Sequence, residues 1–194
     1  MKVTILTGSP HRRGATAALA DKVQEGARDA GCEVVRFNVG QMDIRPCRGC
    51  DASGCGARPC VIEDDMARIY EALATADAVV WASPVYYHAF SAQLKCAIDR
   101  IHGIDDLVRG RGKLLYTVVV GASPADWIFD GVRATVATSA RYLGWRDCGG
   151  LYANGCQSRE DLEGKGWLDD AYDLGMSIAK RQASSLESNL SKGL

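Results

Sequence analysis

Lys2-Val-Thr-Ile-Leu-Thr-Gly-Ser-Pro-His-Arg-Arg-Gly-Ala-Thr16 decides how this chain reads. Lys2 to Thr7 is a short apolar and β-branched run, the kind of strand that a sheet buries on both faces. Small and polar residues take over from Gly8 to Thr16. A helical pattern then covers Ala15 to Ala30, with Ala18, Leu19, Val23 and Ala27 on one stripe and Gly31 as the exit. The turn between them lets backbone approach a ligand, and the first N–H groups and positive dipole end of the helix suit a phosphate. Ser9 and Thr16 add hydroxyl donors, and Arg12 and Arg13 can supply charge or stand solvated at the surface. Neither Walker A spacing nor Gly-x-Gly-x-x-Gly fits, which counts against a nucleoside triphosphate and a standard dinucleotide. A tight strand-to-helix turn with no ligand is the plain alternative.

The same unit recurs along the chain. Glu33 to Phe37, Ala78 to Ala82, Lys113 to Val120 and Gly149 to Ala153 read as further strands. Helical patterns lie between them. One is capped by Asp64 or Asp65 and runs to about Ala74, one starts at Ser91 and runs to about Ile101, and one spans Phe129 to Leu143 before Gly144. A last helix covers Trp167 to Arg181. Strand and helix alternate about five times, which predicts an α/β fold: a five-stranded, parallel sheet with helices on both faces. We expect one domain over residues 1–181, an irregular Cys-rich loop at 41–61, and a polar tail at 182–194 carrying Ser184, Ser185, Ser188 and Ser191.

Composition narrows the function. The 194 residues include 23 Lys plus Arg against 24 Asp plus Glu, a net charge of −1, so no global field favours nucleic acid or an anionic membrane. Apolar runs such as Leu114 to Val120 fall well short of the roughly 18 residues that a membrane span needs. The start runs into a strand pattern rather than a secretory signal, and a cytoplasmic protein with reduced thiols is the expectation.

Ligands of open α/β sheets bind beyond the carboxyl ends of strands, and two more segments sit there. Ser83-Pro84-Val85-Tyr86-Tyr87-His88 can frame a flat ring, with Pro84 holding the turn and both tyrosines available for packing. Gly121 to Trp127 has small residues for close approach, with Trp127 as a cover or an interface anchor. Histidines 11, 88 and 102 carry no catalytic assignment. The eight cysteines divide evenly: Cys32, Cys96, Cys148 and Cys156 lie in periodic segments, as small buried hydrophobes do, while Cys47, Cys50, Cys55 and Cys60 crowd into one loop. Four soft thiolates suit an iron-sulfur cluster or, second, a structural zinc; a redox pair at Cys47 and Cys50, or no metal at all, remain alternatives.

Taken in order, Gly8-Ser-Pro-x-x-x-Gly-x-Thr16, the Cys-rich loop leading into Cys60-Val-Ile-Glu-Asp-Asp-Met66, Ser83-Pro-Val-Tyr-Tyr87, Gln93-Leu-Lys95 and Asp99-Arg100 resemble the NADPH-dependent FMN reductase superfamily, nearest its iron-sulfur flavoprotein branch. The resemblance covers roughly residues 1–155 and implies a flavodoxin-like fold with noncovalent FMN, NADH or NADPH as donor, and a small-molecule or protein electron acceptor. It also implies a homodimer or homotetramer with the flavin near a subunit boundary. By position, Ser9, His11, Gly14, Ala15 and Thr16 would surround the phosphate. Pro84, Val85, Tyr86 and Tyr87 would face the isoalloxazine, and Cys47, Cys50, Cys55 and Cys60 would hold a 4Fe-4S cluster. Ala15 stands where many relatives have Asn and leaves only its backbone N–H. Ser53 stands where the iron-sulfur branch has its third cysteine, so Cys55 must substitute. Hydride transfer to a flavin needs no side-chain acid or base, so no catalytic residue is named. Two rivals are a flavodoxin-like electron carrier, for which the charge is insufficiently acidic, and a zinc-stapled interaction protein.

Overall fold

The computed structural model describes residues 1–50 and 60–190. Its sheet contains the strands β1 (Lys2–Thr7), β2 (Glu33–Phe37), β3 (Ala78–Tyr86), β4 (Ala89–Phe90), β5 (Leu114–Val120) and β6 (Arg146–Ala153). Five run parallel in the order β2-β1-β3-β5-β6, and β4 pairs antiparallel with β3. The order reverses between β1 and β3, and such a reversal opens a crevice at the strands' carboxyl ends.

Alternation along the strands sorts the core into two faces. Val3, Ile5, Ala78, Val80 and Ala82 pack under α1 (Ala15–Asp29) and, among the later helices, the one at Trp167–Leu190. Leu6, Val79, Trp81, Leu115 and Val119 pack under α2 (Met66–Thr75), α3 (Ala92–Arg100) and α5 (Asp130–Leu143), with the one-turn α4 (Asp105–Val108) beside them. The Trp167–Leu190 helix is α6, and it crosses α1 closely at Gly26 and Gly175, where either Cβ would strike the other helix's backbone. No helix among the described residues is long and apolar enough to cross a membrane.

The expectation of five strands needs correction, because a sixth joins the sheet. β3 continues four residues beyond Ala82, turns through Tyr87 and His88, and returns as β4, with Val85 opposite Phe90 and Tyr86 opposite Ala89. Phe90 stabilises this addition, its buried ring meeting Trp81 edge-on at 5.9 Å. β6 begins at Arg146 rather than Gly149, because a register shift opposite Leu115 to Thr117 absorbs an extra residue there and Gly149 takes a φ of 80°. α6 passes Arg181 and ends at Leu190, so the residues read as a tail are helical to that point.

Candidate functional site

Gly8 leaves β1 with its N–H bonded to the Ala82 carbonyl at 2.8 Å, and a Cβ there would lie 2.5 Å from that of Leu94. Only glycine lets this loop lie against α3. Ser91 secures the contact from the other side: its hydroxyl donates to the Gly8 carbonyl at 2.7 Å and accepts the Leu94 N–H at 3.3 Å, capping α3 as the sequence implies. Gln41 donates to the Ser9 carbonyl at 2.7 Å, and the Ser9 hydroxyl accepts the His11 N–H at 3.2 Å. The loop is thus held from behind. At its end Gly14 begins α1 in an extended conformation, with no side-chain cap and no acidic residue in the first turn. The leading N–H groups of a helix have no intrahelical acceptor, so this end presents donors beside the buried hydroxyls of Ser9 and Thr16.

These donors face a cavity of about 340 Å³. Ser9, His11, Gly14, Ala15 and Thr16 form one side, and Pro84, Val85 and Tyr86 form another. Val120 and Ala122 close it from β5 and its loop, and Cys156 and Gln157 from the loop after β6. The last two loops are zipped together: Gly121 donates to Ala153 at 2.9 Å, Cys156 to Gly121 at 2.9 Å and Gly155 to Ser123 at 2.9 Å. Asp161 accepts the N–H groups of Gln157 and Ser158 at 2.8 Å each, which fixes the Cys156–Gln157 corner. Burial pushes the Cys156 thiol above its ordinary range, so it meets the cavity as a neutral group. A phosphate-ready corner and an apolar slot therefore share one volume of the size that small molecules use.

Eight of the nine residues expected around a cofactor line this cavity. Tyr87 does not. It occupies the tip of the β3–β4 hairpin, its ring fully exposed, because positive φ at Tyr87 and His88 turns the side chain away from the cavity that Tyr86 lines. Arg12 and Arg13 are exposed and absent from the lining, and His102 contacts Asp105 at 3.2 Å. Cys156 and Gln157 were not expected. Cys156 read as a buried hydrophobe, and nothing in its neighbourhood signals that the β6 loop folds back over β5.

The Cys-rich loop is anchored by a residue left out of the expected site. Arg100, 1% exposed, forks onto Asp64 at 2.8 and 3.2 Å, and donates to the carbonyls of Arg45 at 2.9 Å and Ile62 at 3.3 Å. It also reaches the Tyr70 hydroxyl at 3.3 Å, which in turn donates to Arg100's own carbonyl at 2.9 Å. One guanidinium thereby ties both stems of the loop to α2 and α3. Burial raises the Asp64 carboxyl, but Arg100 and the N–H groups of Arg45 and Met66 outweigh it and hold that carboxyl below its usual value. Cys60 lies in the same cluster. Burial raises its thiol, and the Ile62 N–H, Tyr70 and Arg100 together bring it below the ordinary thiol range.

Cys47 is exposed and accepts the Gly49 N–H at 3.4 Å; Cys50 and Cys60 are partly buried. Among the described residues no three His, Cys, Asp or Glu side chains are grouped as a metal would require, and Cys55 lies outside them. The described cysteines by themselves do not assemble a cluster site.

Residues 1–139 match the model of a family described as NADPH-dependent FMN reductase. An iron-sulfur flavoprotein of Methanosarcina thermophila is 36% identical over 101 residues, 52% of this chain and 52% of that one. Another, from Methanocaldococcus jannaschii, is 32% identical over 123 residues, 63% of each chain. The chain thus matches between about half and two thirds of these relatives' length. In three dimensions it shares its fold with the NAD(P)H:quinone oxidoreductase of Methanothermobacter marburgensis, at a TM-score of 0.70 and 19% identity over 92% of this chain and 98% of that one.

Proposed function

The chain belongs to the NADPH-dependent FMN reductase family, and from that membership we propose that it is an FMN-dependent NAD(P)H oxidoreductase of the flavin or quinone reductase type. The observation that carries the proposal is the single cavity in which the uncapped start of α1 meets an apolar slot. In this reading the Ser9 and Thr16 hydroxyls and the leading N–H groups of α1 hold the phosphate, while His11 and Gly14 shape the loop around it. The ring would lie among Pro84, Val85, Tyr86 and Ala122, which line the same cavity. The chemistry a bound FMN supplies is hydride acceptance from NADH or NADPH and delivery of the electron pair to a small-molecule or protein acceptor. The chain's own part is to bind, orient and exclude water, and no side chain is asked to move a proton. The proposal extends to a homodimer or homotetramer on the strength of the resemblance, and to a cytoplasmic location on the reading of its cysteines as reduced thiols.

A second reading concerns the loop. The cation and donors around Cys60 are those that a cluster-bound thiolate needs, and the iron-sulfur flavoprotein relatives favour a 4Fe-4S cluster on Cys47, Cys50, Cys55 and Cys60. Anaerobic protein containing stoichiometric iron and sulfide supports that reading, and flavin bands alone reject it.

Titration of the same preparation with FMN and riboflavin, read by quenching of flavin fluorescence, tests the site. Replacing Ser9 by Ala together with Thr16 by Val removes hydrogen bonds to a charged group, each worth about 1.5–3 kcal/mol, and should weaken FMN by at least about a hundredfold. Riboflavin, which lacks the phosphate, should be affected far less. No FMN binding by the wild-type chain, or equal losses for both flavins, would sink the assignment.

A further inference from the structure

A phosphate monoester carries a charge of about −1.5 to −2 at neutral pH, and a site that selects it gains from a cation as well as from N–H donors. The residues that line the carboxyl-end cavity include no Lys, Arg, Asp or Glu. His11 is the one lining residue that can become a cation. The other titratable groups on that wall, Tyr86 and Cys156, are a phenol and a thiol and can supply no positive charge.

The turn fixes where His11 stands. Its carbonyl accepts the Gly14 N–H at 3.3 Å, and its own N–H is held by the Ser9 hydroxyl at 3.2 Å. A Cβ on Gly14 would lie 3.2 Å from that of His11, so the histidine side chain leaves the backbone directly beside the residue that begins α1. No acidic residue in the first turn of α1 competes for it, and Gln41, which holds the loop from behind, is neutral. Arg12 and Arg13 occupy the tip of the same turn, exposed and outside the lining. Resting on the reading of this cavity as the FMN site, we propose that the His11 imidazolium is the counter-ion of the flavin phosphate and the residue through which the cavity prefers FMN to riboflavin. That preference then depends on protonation. An imidazole ordinarily titrates near about 6.5, and a phosphate beside it favours the charged form and raises that value. The cation's contribution is complete below the ordinary value and is lost as pH rises through the raised one.

Fluorescence-quenching titrations of the full chain with FMN and with riboflavin, at about pH 6 and about pH 9, test this on wild type, His11→Gln and His11→Arg. His11→Gln keeps a hydrogen-bonding side chain without charge, and His11→Arg keeps the charge at both pH values. Wild type should bind FMN about three- to tenfold more tightly than His11→Gln at the lower pH, between the worth of an exposed ion pair and that of a hydrogen bond to a charged group. The two should converge at the higher pH. The phosphate's own ionisation is common to both and cancels in the ratio. His11→Arg should keep the advantage throughout, and riboflavin should bind all three proteins alike. A ratio within about twofold at the lower pH, or one that does not change with pH, overturns the proposal and leaves the phosphate to the α1 N–H groups or to Arg12 and Arg13. So does an equal loss of FMN and riboflavin in His11→Gln, which would make the histidine a support of the loop. If the wild-type chain binds neither flavin, or binds riboflavin as tightly as FMN, the reading of the cavity as a phosphate-selecting FMN site has failed.

Discussion

Arg100 carries its charge with 1% of its surface exposed, and it is tolerated there because Asp64 and the carbonyls of Arg45 and Ile62 answer its donors. Removing one partner of such a pair strands the other's charge, which costs about 3–5 kcal/mol. Arg100→Leu should therefore lose about that much stability in urea denaturation, and Arg100→Lys, which keeps the charge but not the fork, should lose less. The pH dependence has a definite sign. Asp64 is held below its unfolded value, so the native state binds fewer protons, and the stabilisation is complete above the unfolded carboxyl range near pH 4 and disappears as pH falls through the depressed native value. The acid limb of stability against pH should be shallower in Arg100→Leu than in wild type. An unchanged limb would mean that Asp64 is not held by this residue. Asp99-Arg100 belongs to the motifs of the family resemblance, but nothing in the local pattern marks Arg100 as buried, since its neighbour Asp99 makes an ordinary exposed pair with Lys95 at 2.5 Å. Burial of a charge is decided by partners 36 and 55 residues away, at Asp64 and Arg45, and no local pattern records them.

At the scale of elements, α1 and α6 show how local propensity and packing can disagree. An interior glycine in a helix costs about 0.8–1.0 kcal/mol against alanine, so Gly175→Ala taken alone should stabilise α6. The crossing reverses the sign, because a Cβ at Gly175 would meet the Val23 carbonyl and the Ala27 N–H of α1. Overpacking of this kind costs about 1–3 kcal/mol, and Gly175→Ala should lower the melting temperature, whereas a rise would show that the helices separate without penalty. The elements also show what periodicity can reveal. β1, β2 and β5 and helices α1, α3 and α5 lie within a residue or so of their sequence-based bounds, because each is a short apolar run or an apolar stripe ended by Gly31, Ser91 or Gly144. β4 was missed because Tyr-His is no turn signal, and the hairpin rests instead on Phe90 packing against Trp81. The end of α6 was missed because a Ser-rich stretch reads as coil even where the helix continues. The cavity walls at Ser9 to Thr16 and Pro84 to Tyr86 were legible because topology places ligands at strand ends, whereas Cys156 and Gln157 depend on how the β6 loop zips to Gly121 and Ser123.

For the whole molecule, the two ends of the sheet offer rival locations for a ligand, and the fold argues for one. The amino-terminal end has an opening of about 530 Å³ between Met1, Asp77, Arg111 and Lys113, larger than the cavity at the carboxyl end. Its one buried cation is already engaged: Lys113 donates to the carbonyls of Ala74 at 3.2 Å and Ala76 at 2.6 Å, closing the end of α2. The smaller cavity instead lies beside the reversal of strand order between β1 and β3, bounded by loops from β1, β3, β5 and β6, so a ligand there is felt by four strands at once. Binding to the native state alone adds about 2.7 kcal/mol at a hundredfold excess over Kd, and in a chain of this size each kcal/mol moves the melting temperature by about 2–4 °C. Saturating FMN should therefore raise the melting temperature by about 5–10 °C. Amide exchange should slow in residues 8–16, 84–88, 121–127 and 154–157 and stay unchanged in residues 74–77 and 111–114. Protection at the amino-terminal end would move the site to the wrong side of the sheet, and with it the reason for Ser9, Thr16 and Tyr86 to stand where they do.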